Sequence, residues 1–204
     1  MNVPAKIKFY INSILLTVSM MIVMSGCQSR YNRMRIVNYK IPDNPETIIQ
    51  DFKEAYFYQG LRDNYYIVLK NTEPMTRENK RILKQILYAR ILWKPIPGRT
   101  YAESSQINAR VEYLITVVDS TDKPVVKQGS YLTLRYVGTG FICFSLNRKG
   151  DVMTGTMEQV LLQPTEQSDK YPLGRFILSG KFRAIKNPCA IAECKMILRA
   201  YNKQ

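Results

Sequence analysis

Apolar residues along this chain are spaced in three ways, and each spacing predicts a different kind of element. From Phe9 to Met24 the chain is greasy and uncharged. From Ile41 to Trp93 apolar residues recur at intervals of three and four, as on one face of a helix. Ile48, Ile49, Phe52, Ala55 and Tyr56 fit such a stripe. Asn44 serves as cap, Pro45 as first helical residue, Glu46 complements the positive end of the dipole, and Gly60 is a stop. "LRDNYYIVLK" reads as a short second helix or a strand. "TRENKRILKQILYARILW" predicts a further helix, opened by Thr76 and striped by Ile82, Leu83, Ile86, Leu87 and Leu92.

After the Pro/Gly-marked "KPIPGRTY" the period falls to two. Val111, Tyr113, Ile115 and Val117 alternate with Arg110, Glu112, Leu114 and Thr116, and "DSTDKP" supplies a turn. "GSYLTLRYVG", "GFICFSLNRKGDV", "VMTGTMEQVLLQ" and "GRFILSGKFRAIK" complete about five strands in antiparallel succession. A last helix follows, with Asn187 as cap, Pro188 at its first position and a stripe of Ile191, Cys194, Leu198 and Tyr201. The pattern predicts an α+β fold: N-terminal helices and a C-terminal helix packed on a curved antiparallel sheet of about five strands. A lipocalin-like β-barrel with flanking helices is the competing topology. "PETIIQDFKEAYFYQGLRDNYY" resembles the opening of nuclear transport factor 2-like domains. That resemblance implies helices filling a cone of bent sheet and assigns no site.

The greasy run is preceded by Lys6 and Lys8 and broken by Asn12, Ser13, Thr17 and Ser19. A spanning helix needs about 20 predominantly apolar residues, so this run fits a secretory signal better. It ends in Met24-Ser25-Gly26-Cys27, which resembles the lipobox of bacterial lipoproteins. The resemblance implies that Met24, Ser25 and Gly26 are read by signal peptidase II, which cuts before Cys27. It also implies a diacylglyceryl group on the Cys27 thiol, the nucleophile that alkylation requires. Residues 1–26 are then a removed signal peptide, 27–40 a lipidated tether, and 41–204 one globular domain. The expected place is the bacterial cell envelope, outside the cytoplasm. Gln28 stands where many lipoproteins kept at the inner membrane carry Asp, which leans towards the outer membrane.

Charge adds an orientation. The chain carries +14, and no Asp or Glu precedes Asp43. The tether holds Arg30, Arg33, Arg35 and Lys40, candidates for contact with anionic headgroups at about 1 kcal/mol each near a surface. Further on the signs mix, and no zinc, recognition-helix or RNA-binding signature appears, so nucleic acid is not an expected partner.

The chain has no histidine, which removes Ser-His-Asp and Cys-His machinery and the commonest transition-metal ligand. Cys143, between Ile142 and Phe144, reads as a buried small hydrophobe on a strand. Cys189 and Cys194 are a candidate disulfide only if Cys189 lies outside the helix, since five helical steps place them about 140° apart. No metal site is expected, and the covalent lipid on Cys27 is the only non-protein group implied. Asp51 with Glu54, and Asp119 with Asp122, read as solvated or turn carboxylates. With no constellation to which catalytic roles can be assigned, an enzyme is not expected. Tyr56, Tyr58, Tyr65 and Tyr66 cannot all face inward from a helix, and mark a candidate binding surface. The sequence thus predicts a non-catalytic lipoprotein presenting a surface to an envelope protein or polymer. The alternative is a small-ligand or lipid carrier with a cavity in its curved sheet.

Overall fold

Strands fill the N-terminal half, where helices were expected. The computed structural model describes residues 31–61, 64–74, 81–95, 107–119, 132–166 and 172–201. The strands are β1 Arg33–Asn38, β2 Glu46–Asp51, β3 Glu54–Gln59, β4 Tyr65–Pro74, β5 Arg81–Ile91, β6 Ala109–Asp119, β7 Leu132–Leu146, β8 Val152–Pro164 and β9 Phe176–Lys186. Among the described residues one α-helix follows, α1 Pro188–Tyr201. The sheet runs β2-β1-β9-β3-β4-β5-β6-β7-β8, and β8 pairs again with β9, so β3 to β9 close into a seven-strand barrel.

This corrects the α+β expectation and, with it, the helices filling a cone of sheet. The barrel agrees with the competing topology in its closure. The physical reason for the error is double burial. Strands β4 and β5 face the barrel interior with Ile67, Leu69, Leu87, Ala89 and Ile91, while Val68 and Tyr88 of the opposite face are also buried, against α1. A strand covered on both faces loses its polar alternation, and adjacent apolar residues then imitate helical spacing. In the first predicted helix, Phe52 fills the break between β2 and β3, Ala55 and Phe57 point inward, and Tyr56 and Tyr58 lie on the outer wall under α1. The predicted C-terminal helix does form. Asn187 Oδ1 accepts the Ala190 N–H at 3.0 Å, and Ile191, Cys194 and Leu198 are its buried stripe.

The main core lies inside the barrel, where Tyr113, Tyr136 and Phe176 meet mostly edge to face at centroid distances of 5.1–6.2 Å. Register shifts in β7 between Thr139 and Phe141, and in β8 between Met157 and Val160, coil the wall tightly enough to close. At Gly138 the strands approach so closely that a Cβ would run into the Leu161 carbonyl.

Closure depends on how one edge of β9 is shared. Its first half, Phe176–Lys181, pairs antiparallel with β1, and Ile185–Lys186 pair parallel with Tyr56–Phe57 of β3. Asn32 manages the handover. It adopts φ 63°, donates its N–H to Lys181 O at 2.8 Å and accepts the Phe52 N–H at 2.8 Å. Its Oδ1 takes the Arg183 N–H at 2.9 Å, so this edge is satisfied before β3 takes over. The globular unit therefore begins at Tyr31, and residues 33–38 of the expected tether are a strand of the sheet.

Candidate functional site

Inside the barrel, at the end where β4 leads towards β5, two amides sit among apolar side chains. Asn71 on β4 follows Leu69 at the inward spacing, and Gln85 on β5 precedes Leu87 likewise. The two residues are direct partners in the β4–β5 register, with Ile115 and Leu134 next along the same row of the wall. Asn71 is 3% exposed and Gln85 is 7% exposed, and neither Asn71 Oδ1 nor Gln85 Oε1 meets a hydrogen-bond donor. A buried polar atom without a partner costs about 1–3 kcal/mol. Packing alone would be served better by leucine at both positions. The arrangement offers two acceptor oxygens, side by side, to a donor-bearing group.

The wall beside them is incomplete. β3 accompanies β4 only as far as Lys70, opposite Glu54, so among the described residues Asn71–Pro74 pair with β5 on one side and run on without a strand on the other. Among the described residues β2, just before β3 in the chain, pairs with β1 alone. Lys53 reaches Glu73 at 3.7 Å over the seam, and Phe52 lies buried behind it, edge-on to Tyr113 at 6.4 Å.

Of the tyrosines singled out from sequence, Tyr65 is buried inside the barrel, tilted against Phe144 at 4.7 Å. Tyr56, Tyr58 and Tyr66 pack on the outer wall against the Val68–Tyr88–Leu114 cluster that α1 roofs. Lys195 of the helix sits 3.3 Å above the Tyr66 ring, with its ammonium pKa held down by burial and by Arg90 and Arg199. Lys70 pairs with Glu193 at 3.1 Å. These aromatics seat the helix.

Cys189 is an exposed free thiol and Cys194 a buried one, so the candidate disulfide is not formed. Burial pushes the Cys194 thiol up, with Glu193 acting in the same direction. Cys143 is also free, on the outer face of β7, and burial and Glu158 raise it. Arg33 and Arg35 project outward from β1, and Lys40 follows that strand. Met24, Ser25, Gly26, Cys27 and Arg30 lie outside the described residues.

Sequence reasoning missed Asn71 and Gln85. Asn71 falls between the two segments read as elements, and Gln85 lies within the segment expected to be a helix. Read in steps of two, Gln85-x-Leu87-x-Ala89-x-Ile91 would have placed the glutamine on an inward face.

No known protein family, curated protein or solved structure matches this chain. Among the described residues no helix is long and apolar enough to cross a membrane, and no group of three or more potential ligands could hold a metal ion.

Proposed function

We propose that this chain is a non-catalytic lipoprotein of the bacterial cell envelope, fastened to the outer membrane by acyl chains on Cys27. In this reading its barrel carries a small, largely apolar ligand with a hydrogen-bond-donating head. The observation that carries the ligand reading is the pair of unpartnered acceptors, Asn71 Oδ1 and Gln85 Oε1, inside a closed barrel beside a seam in its wall. Barrels of about eight strands have interiors suited to side chains or one small ligand. A lipid or small amphiphile presenting two hydroxyls, an ammonium or a primary amide has the two donor protons that both oxygens require. A carboxylate would meet them with like polarity. The lipobox carries the anchor reading, and the absence of histidine supports a binding role over catalysis.

Two measurements test this. Intact mass of membrane-extracted protein, wild type against Cys27→Ala, should show a mature N-terminus at Cys27 with acyl mass that the variant lacks. An unmodified Cys27 still joined to residues 1–26 would overturn the anchor. Native mass spectrometry of the protein with monoacylglycerol, alkylamine and fatty acid should show retention of the first two. The Asn71→Leu/Gln85→Leu double variant should lose that retention. Equal retention by wild type and double variant, or preference for the fatty acid, would overturn the ligand reading.

A further inference from the structure

The wall formed by β1, β9, β8 and β7 gathers side chains that are far apart in sequence. Arg33 and Arg35 lie outward on β1, beside Lys181 and Ser179 of β9 in register. Arg183 points the same way two residues on, next to Thr154 of β8, and Thr156 stands beside Lys181. Ser145 and Cys143 of β7 extend the two rows. Tyr31, Cys143, Ser145, Thr154, Thr156 and Lys181 line a shallow depression of about 330 Å³ on this wall. Basic strand positions therefore sit next to a band of hydroxyls, in which Ser145 and Thr154 share a hydrogen bond of 3.3 Å.

Little on the wall neutralises them. Asp51 pairs with Arg33 at 3.5 Å, and Glu158 accepts from Thr156 Oγ1 at 3.3 Å. Among the described residues no carboxylate forms an ion pair with Arg35, Lys181 or Arg183. Two large apolar side chains flank the cations on the same outward face: Ile49, 46% exposed beside Arg35, and Ile185, 53% exposed beyond Arg183. Cations backed by hydroxyls and edged by exposed aliphatics suit the headgroup layer of a bilayer, where charge meets phosphate and isoleucine meets the acyl boundary.

We propose that this wall docks flat on an anionic phospholipid surface. The occupant follows from the charge, the hydroxyl band and the apolar flanks. The direction of the chain agrees, since Tyr31 lies on this wall only four residues after Cys27. The inference is independent of the interior ligand, and it deepens the anchor reading by fixing which face of the barrel meets the membrane.

The test uses residues 28–204, because every strand, the helix and both apolar clusters lie within the unit that begins at Tyr31. Without Cys27, failure of the docking face and failure of the anchor are separate results. Sedimentation with phosphatidylglycerol-containing vesicles should show salt-sensitive binding that vanishes on pure phosphatidylcholine. The Arg35→Gln/Lys181→Gln/Arg183→Gln variant should bind roughly 100-fold more weakly, at about fivefold per cation. The Lys84→Gln/Arg90→Gln/Arg199→Gln variant loses as much charge from β5 and the helix and should bind as wild type does. Circular dichroism matching wild type shows that both variants are folded, and single-site variants replace any that is not. Equal weakening by both triple variants would overturn the assignment of the face. No binding to phosphatidylglycerol, or binding to soluble polyphosphate alone, would overturn the membrane surface as occupant.

Discussion

Replacing Asn108 tests the fold where a side chain stands in for backbone. β7 outruns β6: the last pair at that end is Ala109 with Gly140, yet Ile142 continues the strand. The Asn108 amide completes the ladder there. Its Oδ1 accepts the Ile142 N–H at 2.8 Å, and its Nδ2 donates to Ile142 O at 2.8 Å and to Trp93 O at 3.4 Å. Asn108 is fully buried. Asn108→Ala would strand both backbone groups of Ile142, at about 1–3 kcal/mol each, for a total of about 2–6 kcal/mol. Against a usual stability of about 5–15 kcal/mol, that loss is large. Trp93 is the only tryptophan and sits 6.1 Å from Phe141, so its fluorescence reports on this corner. With a urea slope of about 1–3 kcal/mol per molar, the unfolding midpoint should fall by about 1 M or more. Asn147→Ala is the comparison, since it makes the same chemical change in the exposed β7–β8 turn, where water can replace the lost bonds. If the two variants shift the midpoint equally, the buried-ladder argument is wrong.

Three further outcomes follow from the same reasoning. Asn32→Ala loses the bond to Arg183 and forces a left-handed conformation on a residue that resists it, for about 2 kcal/mol and a melting temperature lower by about 4–8 °C. Asn32→Gly keeps the conformation and should lose about half as much, so an alanine variant as stable as the glycine one would refute the handover. In residues 28–204, a thiol reagent at neutral pH should label Cys189 first and Cys194 only on unfolding, and early labelling of Cys194 would mean that the helix does not stay seated. Burial raises Cys194, Cys143, Tyr88 and Tyr113 above their ordinary 9.0 and 10.0, so the folded state keeps those protons longer. Lys195 is shifted the other way and is outnumbered. Stability should then hold below about pH 8 and fall as pH rises past 9, because there the unfolded chain binds fewer protons. Urea midpoints across pH 7–11 check the sign, and a rise above pH 9 would contradict it.

The second half of the barrel was legible because it is exposed on its outer face. Val111, Tyr113 and Ile115 alternate with Arg110, Glu112 and Thr116, and the pattern announces a strand. β4 and β5 hid their nature because α1 covers them, so Val68 and Tyr88 are apolar where a bare strand would be polar. The helix that conceals them comes more than a hundred residues later in the chain. The interior amides were hidden by the same misreading. Lys181 and Arg183 were plain as basic residues, but their meeting with Arg33 and Arg35 is a matter of register, which the sequence alone does not carry.

The shared edge of β9 also governs when the molecule can become itself. The bond from Arg183 to Asn32 joins positions 151 residues apart, and among the described residues β1 pairs with the barrel through β9. As the chain emerges, the β1–β2 hairpin has no sheet to rest on until β9 has been made. Growth therefore extends an open sheet whose last seam cannot be sewn early. A fold that must wait for its ninth strand cannot close its wall until nearly the whole chain has been made.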